Sequence, residues 1–291
     1  MTSSSPVLDP QIAAQTVSDR VRLSLDIIPQ VAVVLGSGIK ALEDLECLGS
    51  ISYAEIPGFP EATVAGHAGV LSWGRLGAEG PAIMVARGRF HLYEGHGLSE
   101  ALSLVELFHA LGIENLILTN AAGGLRADWT PGDLMLIADH INLQGFQAGL
   151  PTSPSDPMLA ATRYRAVETY HDAWRMRLKQ AAMEANVPLR EGIYVGLLGP
   201  SYETMAENHY LLTAGVDAVG MSTVPEASRA ASYGLRVIAI SCITNISITP
   251  RGAAETSHQE VVDVAKAASQ NMEALLRAAV LTAPQSAGFV G

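Results

Sequence analysis

The sequence predicts an α/β protein built as one domain on a mostly buried sheet, and three observations carry that expectation. Short apolar runs alternate along the chain with amphipathic, helix-like segments, without repeats, low-complexity tracts or a linker. The chain has 291 residues, 48% of them hydrophobic, enough for a large core, so the single domain is expected to span residues 1–291. Charged residues are only 16%, against about 25% in ordinary globular proteins, which argues against disorder.

Each element follows from local chemistry. Asp9-Pro10 supplies an N-cap and a first helical position, and the pattern to about residue 25 is periodic enough for a helix. Residues 31–35 (VAVVL) form an apolar run ending at Gly36-Ser37-Gly38, which predicts a buried strand entering a tight turn, with a helix beyond it. Strands are expected at 70–76 and 82–86, then an amphipathic helix over 99–111 stopped by Gly112. Strands at 115–119 and 134–138 flank the pair Gly123-Gly124. Residues 145–157 are rich in Gly, Pro and Ser and predict a loop. Helices are expected over 163–185, 203–214 and 225–233, with strands at 192–197 and 235–241. Ser257-His258-Gln259-Glu260 fits a capping box opening a long, alanine-rich C-terminal helix.

Composition narrows the function. A formal charge of −11 disfavours nucleic acid as a partner. No apolar run approaches the ~20 residues of a spanning helix, so no membrane is expected. The N-terminal MTSSSPVLDPQ has neither the basic nor the apolar region of a signal peptide. Two cysteines, Cys47 and Cys242, cannot build a disulfide framework or a cysteine-rich metal site. A cytoplasmic protein acting on a small molecule is expected.

Several motifs could carry its chemistry, and each has a plainer alternative. Gly36-Ser37-Gly38 offers backbone N–H groups and a hydroxyl to an oxyanion, or is only a glycine turn with Ser37 as a cap. On an extended segment Arg89, His91 and Tyr93 share one face, as an anion-binding surface or as a solvated edge strand. Thr119–Gly124 places small residues where a ligand could touch backbone, or where a helix packs. Ser222, after Val219-Gly220-Met221, could ligand an anion or cap the helix that Pro225 begins. Asn245, beside Thr244, could read a heterocycle edge, or be a turn asparagine. Glu203 could pair with ring N–H groups, or be a first-turn glutamate. His67 lies in a glycine-rich loop, and His258 could simply belong to its capping box. No HExxH or similar cluster supports a metal, and no GxSxG elbow supports a serine nucleophile.

Together and in order, these segments resemble the purine nucleoside phosphorylase family, in its trimeric branch specific for 6-oxopurines. The matching strings are VVLGSG (33–38), TVAGHAG (63–69), GRFHLYEGH (88–96), LTNAAGGL (118–125), GDLMLIADHINLQG (132–145), YVGLLGPSYET (194–204), VGMSTVPEA (219–227), ITN (243–245) and His258. The resemblance implies a twisted mixed sheet, partly closed into a barrel and flanked by helices. It implies phosphorolysis of purine ribo- and deoxyribonucleosides to free base and (deoxy)ribose 1-phosphate, as in purine salvage. Phosphate would be held by Ser37, Arg89, His91, the Asn120–Ala121 backbone and Ser222, with His67 close by. Tyr93, Met221 and His258 would fix the ribose, while Ala121, Gly220 and Thr244 would also line the nucleoside. Tyr202 would contact the base, and Glu203 and Asn245 would read it; His91, Glu203 and Asn245 are the expected catalytic groups. Inorganic phosphate is a co-substrate, and no metal or organic cofactor is implied. A homotrimer is implied too, with active sites near subunit interfaces and an aromatic supplied by the neighbouring subunit, for which Tyr164 is the candidate.

Departures from the family pattern are Ala65 and Met205, both at common proline positions, and residues 146–165, which match poorly. Loop 246–257, which by resemblance gates the site, is also individual. Three alternatives compete. A 5′-methylthioadenosine phosphorylase typically carries an aspartate where Asn245 stands and an apolar residue where His258 stands. A catalytically silent nucleoside-binding protein could dispense with the phosphate cluster, which is present here. A Rossmann dehydrogenase fails on Ala41, which stands where GxGxxG needs its third glycine.

Overall fold

The computed structural model describes residues 8–43, 45–60, 68–145, 168–247 and 258–285. The Asp9 carboxylate accepts from the Gln11 and Ile12 amides at 3.0 and 3.3 Å and so starts α1 (Pro10–Val21). That helix ends short of residue 25, because a turn through Ser24 drops Leu25 into the core and leaves Leu23 outside. Among the described residues nine strands follow: β1 (Val31–Leu35), β2 (Glu46–Ser52), β3 (Val70–Arg75), β4 (Ala82–Arg87), β5 (Asn115–Gly124), β6 (Leu134–Asn142), β7 (Arg190–Gly196), β8 (Ala218–Gly220) and β9 (Arg236–Ile246). They form one mixed sheet in the order β2-β3-β4-β1-β5-β8-β7-β6-β9, and β5 also pairs with β9. That last pairing closes β5, β8, β7, β6 and β9 into a five-stranded ring, the barrel that the resemblance implies.

The remaining helices are α2 (Leu98–Ala101), α3 (Ser103–Ala110), α4 (Asp172–Glu184), α5 (Met205–Thr213), α6 (Val224–Ser232), α7 (His258–Ala267) and α8 (Ser269–Leu281). Strand β1 shows how both faces of the sheet are covered. Ala32 and Val34 pack with Val17 of α1, Phe108 of α3 and Ala227 of α6. Val31, Val33 and Leu35 point the other way, into a cluster with Trp174 and Leu178 of α4 and Leu275 and Leu276 of α8. A strand buried on both sides needs apolar residues at every position, which is why VAVVL shows no alternation.

Several expectations are corrected. No helix follows Gly38 among the described residues, so Ser37 is not a helix cap. The helices expected at 99–111 and after residue 257 are each two helices, separated by single turn residues at Leu102 and Ala268. Of the helix expected over 163–185, residues 168–171 are not helical. His171 caps α4 there, its ring accepting from the Trp174 amide at 3.2 Å. Strands β5, β6 and β9 run well past their expected ends, and β2 was not anticipated at all. Ser257, His67 and Tyr164, with residues 146–167 and 248–257, lie outside the described residues.

Candidate active site

Parallel pairing of β4 with β1, β1 with β5, and β5 with β9 delivers their carboxyl ends to one place, where open α/β sheets take ligands. A cleft of about 700 Å³, counting space open to solvent, occupies it. Its walls are tied together locally. The Thr119 hydroxyl donates to the Val34 carbonyl at 2.9 Å and accepts from the Gly36 amide at 3.0 Å, stitching the end of β1 to β5. Gly36 has no alternative there: a Cβ would stand 2.7 Å from the Thr119 carbonyl oxygen and 2.9 Å from the Asn120 Cα.

One end of the cleft is cationic and buried. Arg89, 1% exposed, donates from Nη1 to Ser222 Oγ at 3.1 Å and to Thr223 Oγ1 at 3.2 Å. Its Nε lies 3.4 Å from the buried Glu226 carboxylate. A buried cation of this kind is tolerated because it is paired and hydrogen-bonded. Asn120 donates from Nδ2 to Thr223 Oγ1 at 2.8 Å, and its Oδ1 is buried with no partner among the described residues. His91 Nδ1 lies 2.7 Å from Glu94 Oε1, which also accepts from the His91 amide at 2.8 Å. That double contact fixes the imidazole, and the His91 ring stacks on Tyr93 at 4.7 Å. Burial, with the Glu94 charge adding to it, pushes the Tyr93 phenol up to about 12, so it is a neutral donor at neutral pH.

The other end is polar but more open. Asn245 is held at both ends of its amide: Nδ2 donates to Ser247 Oγ at 3.2 Å, and Oδ1 accepts from Thr244 Oγ1 at 3.2 Å. Glu203 stands between β7 and α5, and burial, reinforced by the Glu207 carboxylate, raises its pKa. Tyr202 beside it is 51% exposed. The cleft therefore joins an anion-competent pocket to a pair of groups, a carboxylate and a carboxamide, able to meet N–H and acceptor atoms of a heterocycle.

Ser37, Arg89, His91, Tyr93, Asn120, Ala121, Tyr202, Glu203, Gly220, Met221, Ser222, Thr244 and Asn245 all line this one cleft. His258 is the first residue of α7. Two local readings change. Tyr93 sits in a 3-10 turn (Leu92–Glu94), not on an extended strand, so the turn and not period-two spacing brings it beside His91. The solvated-edge alternative fails on the burial of Arg89 and His91. Ser222 does not cap α6, because Thr223 occupies the N-cap. Val219, Ala122, Gly123, Ser247 and Val261 also line the cleft, and Thr223, Glu226 and Glu94 stand behind it. Position next to a motif could have flagged Ser247 and Thr223; nothing in the sequence pairs Glu226 with Arg89.

A half-open α/β sheet with a closed ring at one end, and an anion-competent pocket beside a carboxylate and a carboxamide, defines a phosphorylase-type protein. The Phosphorylase superfamily model matches residues 30–281, and the chain belongs to that family. It is similar to the purine nucleoside phosphorylase of Mus musculus, 44% identical over 84% of this chain and 86% of the relative. It is likewise similar to purine nucleoside phosphorylase 1 of Geobacillus stearothermophilus, 45% identical over 75% of this chain and 79% of that one. The crystal structure of a schistosoma purine nucleoside phosphorylase with hypoxanthine superposes with a TM-score of 0.82 at 32% identity, covering 97% of this chain and 100% of that one.

Proposed function

We propose that the protein catalyses phosphate-dependent cleavage of 6-oxopurine nucleosides to the free base and ribose or deoxyribose 1-phosphate. The observation that carries this is the pairing, in one cleft, of the Arg89–Ser222 pocket with Asn245 and Glu203. In the reaction a phosphate oxygen bonds to the anomeric carbon, the bond from that carbon to purine N9 breaks, and its electron pair leaves with the base. The sugar passes through an oxocarbenium-like state while the purine gains negative charge. Phosphate is already anionic at pH 7, so the protein need not generate a nucleophile, only hold one below the sugar.

Ser37, Arg89, His91, the Asn120–Ala121 backbone and Ser222 hold phosphate in this reading, with His67. Tyr93, Met221 and His258 seat the ribose. Tyr202 contacts the base, Glu203 accepts from its ring N–H, and Asn245 donates to N7, a bond that strengthens as the purine gains charge. The ties from Thr244 and Ser247 support that role, because they hold the amide at both ends within the cleft. Phosphate is the second substrate, and no metal or organic cofactor takes part. The protein acts in the cytoplasm as a homotrimer. The resemblance to the trimeric branch of the family supports the trimer.

Incubation with inosine, with and without inorganic phosphate, tests the reading. Hypoxanthine and ribose 1-phosphate are expected together, and only with phosphate present. Hypoxanthine plus free ribose in phosphate-free buffer would mean a hydrolase. Cleavage of methylthioadenosine but not of inosine or guanosine would overturn the base assignment.

A further inference from the structure

Thr223 has the wrong backbone for its residue type. Its φ of 72° and ψ of −49° place a β-branched side chain in a region that such residues avoid. The Val224 amide donates to the Ser222 carbonyl at 2.8 Å across it, closing a positive-φ γ-turn, a rare and strained form. It is fully buried, and its amide donates to Glu226 Oε2 at 3.2 Å, the same carboxylate that faces Arg89. Threonine at an N-cap ordinarily turns its hydroxyl onto the first helical amides, yet here the side chain caps nothing.

The hydroxyl is used elsewhere. A threonine hydroxyl has two acceptor lone pairs and one proton. Arg89 Nη1 takes one lone pair at 3.2 Å and Asn120 Nδ2 takes the other at 2.8 Å. Its proton is then left for Ser222 Oγ, 3.2 Å away. Ser222 Oγ also accepts from Arg89 Nη1 at 3.1 Å, so both of its own lone pairs are filled. The proton of Ser222 is left for the Tyr194 phenol, which hydrogen-bonds the Ser222 side chain, or for a ligand, since Ser222 lines the cleft. The network thus fills the acceptor side of Ser222 and leaves its proton as what it can offer a ligand.

We infer that Thr223 is a positioning residue of the anion end: held by its strained turn, its hydroxyl sets Arg89 and Asn120 in place and fills the acceptor side of Ser222, so that Ser222 meets phosphate as a donor. This rests on the phosphorolysis reading above. Strain maintained at a site by surrounding contacts accords with a geometric role.

The test is inosine phosphorolysis by the full chain against phosphate concentration, for wild type and three variants. Thr223→Val keeps shape and branching without the hydroxyl, and Thr223→Ser keeps the hydroxyl. Thr223→Gly has no hydroxyl but adopts positive φ freely, so the test stands even if the valine variant misfolds. Valine and glycine are expected to lose about 100-fold in kcat/KM for phosphate, as for a misplaced site, with KM for inosine little changed and serine near wild type. Wild-type phosphate kinetics in the glycine or the valine variant overturns the proposal. So does a serine variant as impaired as valine, since packing and not the hydroxyl would then matter. Wild-type turnover independent of phosphate is a separate outcome, which removes the phosphorolysis reading and this inference with it.

Discussion

The two ends of the cleft are built differently. At the anion end Arg89, Asn120, Thr223 and Glu226 are each at most 5% exposed and bonded to one another before any ligand arrives. At the other end Tyr202 is half exposed, and burial raises the pKa of Glu203. The difference teaches how an acidic protein takes up an anion. With a net charge of −11 it cannot attract an anion globally; at this end it holds the Arg89 cation beside Glu226, among fixed hydroxyl and amide donors. The base is neutral when it binds, so selectivity there needs only a few oriented groups.

Breaking the anion end should have the largest effect. Arg89→Met leaves Glu226 buried and unpaired, and is expected to cost about 3–5 kcal/mol of stability. Phosphorolysis should fall about a thousandfold, as for loss of a strong transition-state donor. Adding Glu226→Gln should restore the melting temperature but not the turnover; recovery of both would show that the arginine is only structural. At the base end Asn245→Ala should lose about 3 kcal/mol of transition-state stabilisation, roughly a hundredfold in kcat, with KM for phosphate unchanged. Unaltered turnover in that variant would sink its role.

Glu203 sharpens the contrast through pH. Its raised pKa means that it protonates above the ordinary carboxylate range, so kcat/KM for the nucleoside should fall on acidification earlier than a normal glutamate allows. Glu203→Gln should remove that limb and cost about tenfold in kcat/KM at neutral pH. A folded pKa above the unfolded one also means that stability is lost as pH rises through it, so the glutamine variant should be the more stable at pH 7. An unchanged acid limb in the variant would assign the ionisation elsewhere. Smallest of all, Ser247→Ala should cost about 1 kcal/mol, roughly fivefold in kcat/KM, by freeing the Asn245 amide to rotate. Inosine-to-adenosine discrimination, measured in parallel, should narrow; if it does not, Ser247 is not orienting the amide.

What the sequence revealed follows the same divide. Strand β1 was legible to the residue, because a two-sided core demands an unbroken apolar run. Strands β5 and β9 read as ending at Thr119 and Ser241, since Asn120, Gly123, Thr244 and Asn245 look like turn residues. They are strand residues that line the cleft instead of a core. The edge strand β2 escaped notice because, of ECLGSIS, only Ile51 is buried. Residues of the cleft wall were found through recognisable strings. The supports behind it were not, because the pairing of Arg89 with Glu226, and the φ of Thr223, exist only once distant segments meet.

Strand β5 belongs to both halves of the sheet. Its first residues pair with β1 and its last with β8, while β9 runs alongside throughout. It therefore works as a splice: neither the open half nor the closed ring keeps its hydrogen bonds if β5 leaves. Slow amide exchange should accordingly centre on Leu116, Ile117 and Leu118, all fully buried, and proceed there only by global opening. Asn120 and Ala121 ride on the same strand, so opening of β5 takes the anion end of the cleft with it. Heat or denaturant should abolish phosphate and nucleoside binding in a single step.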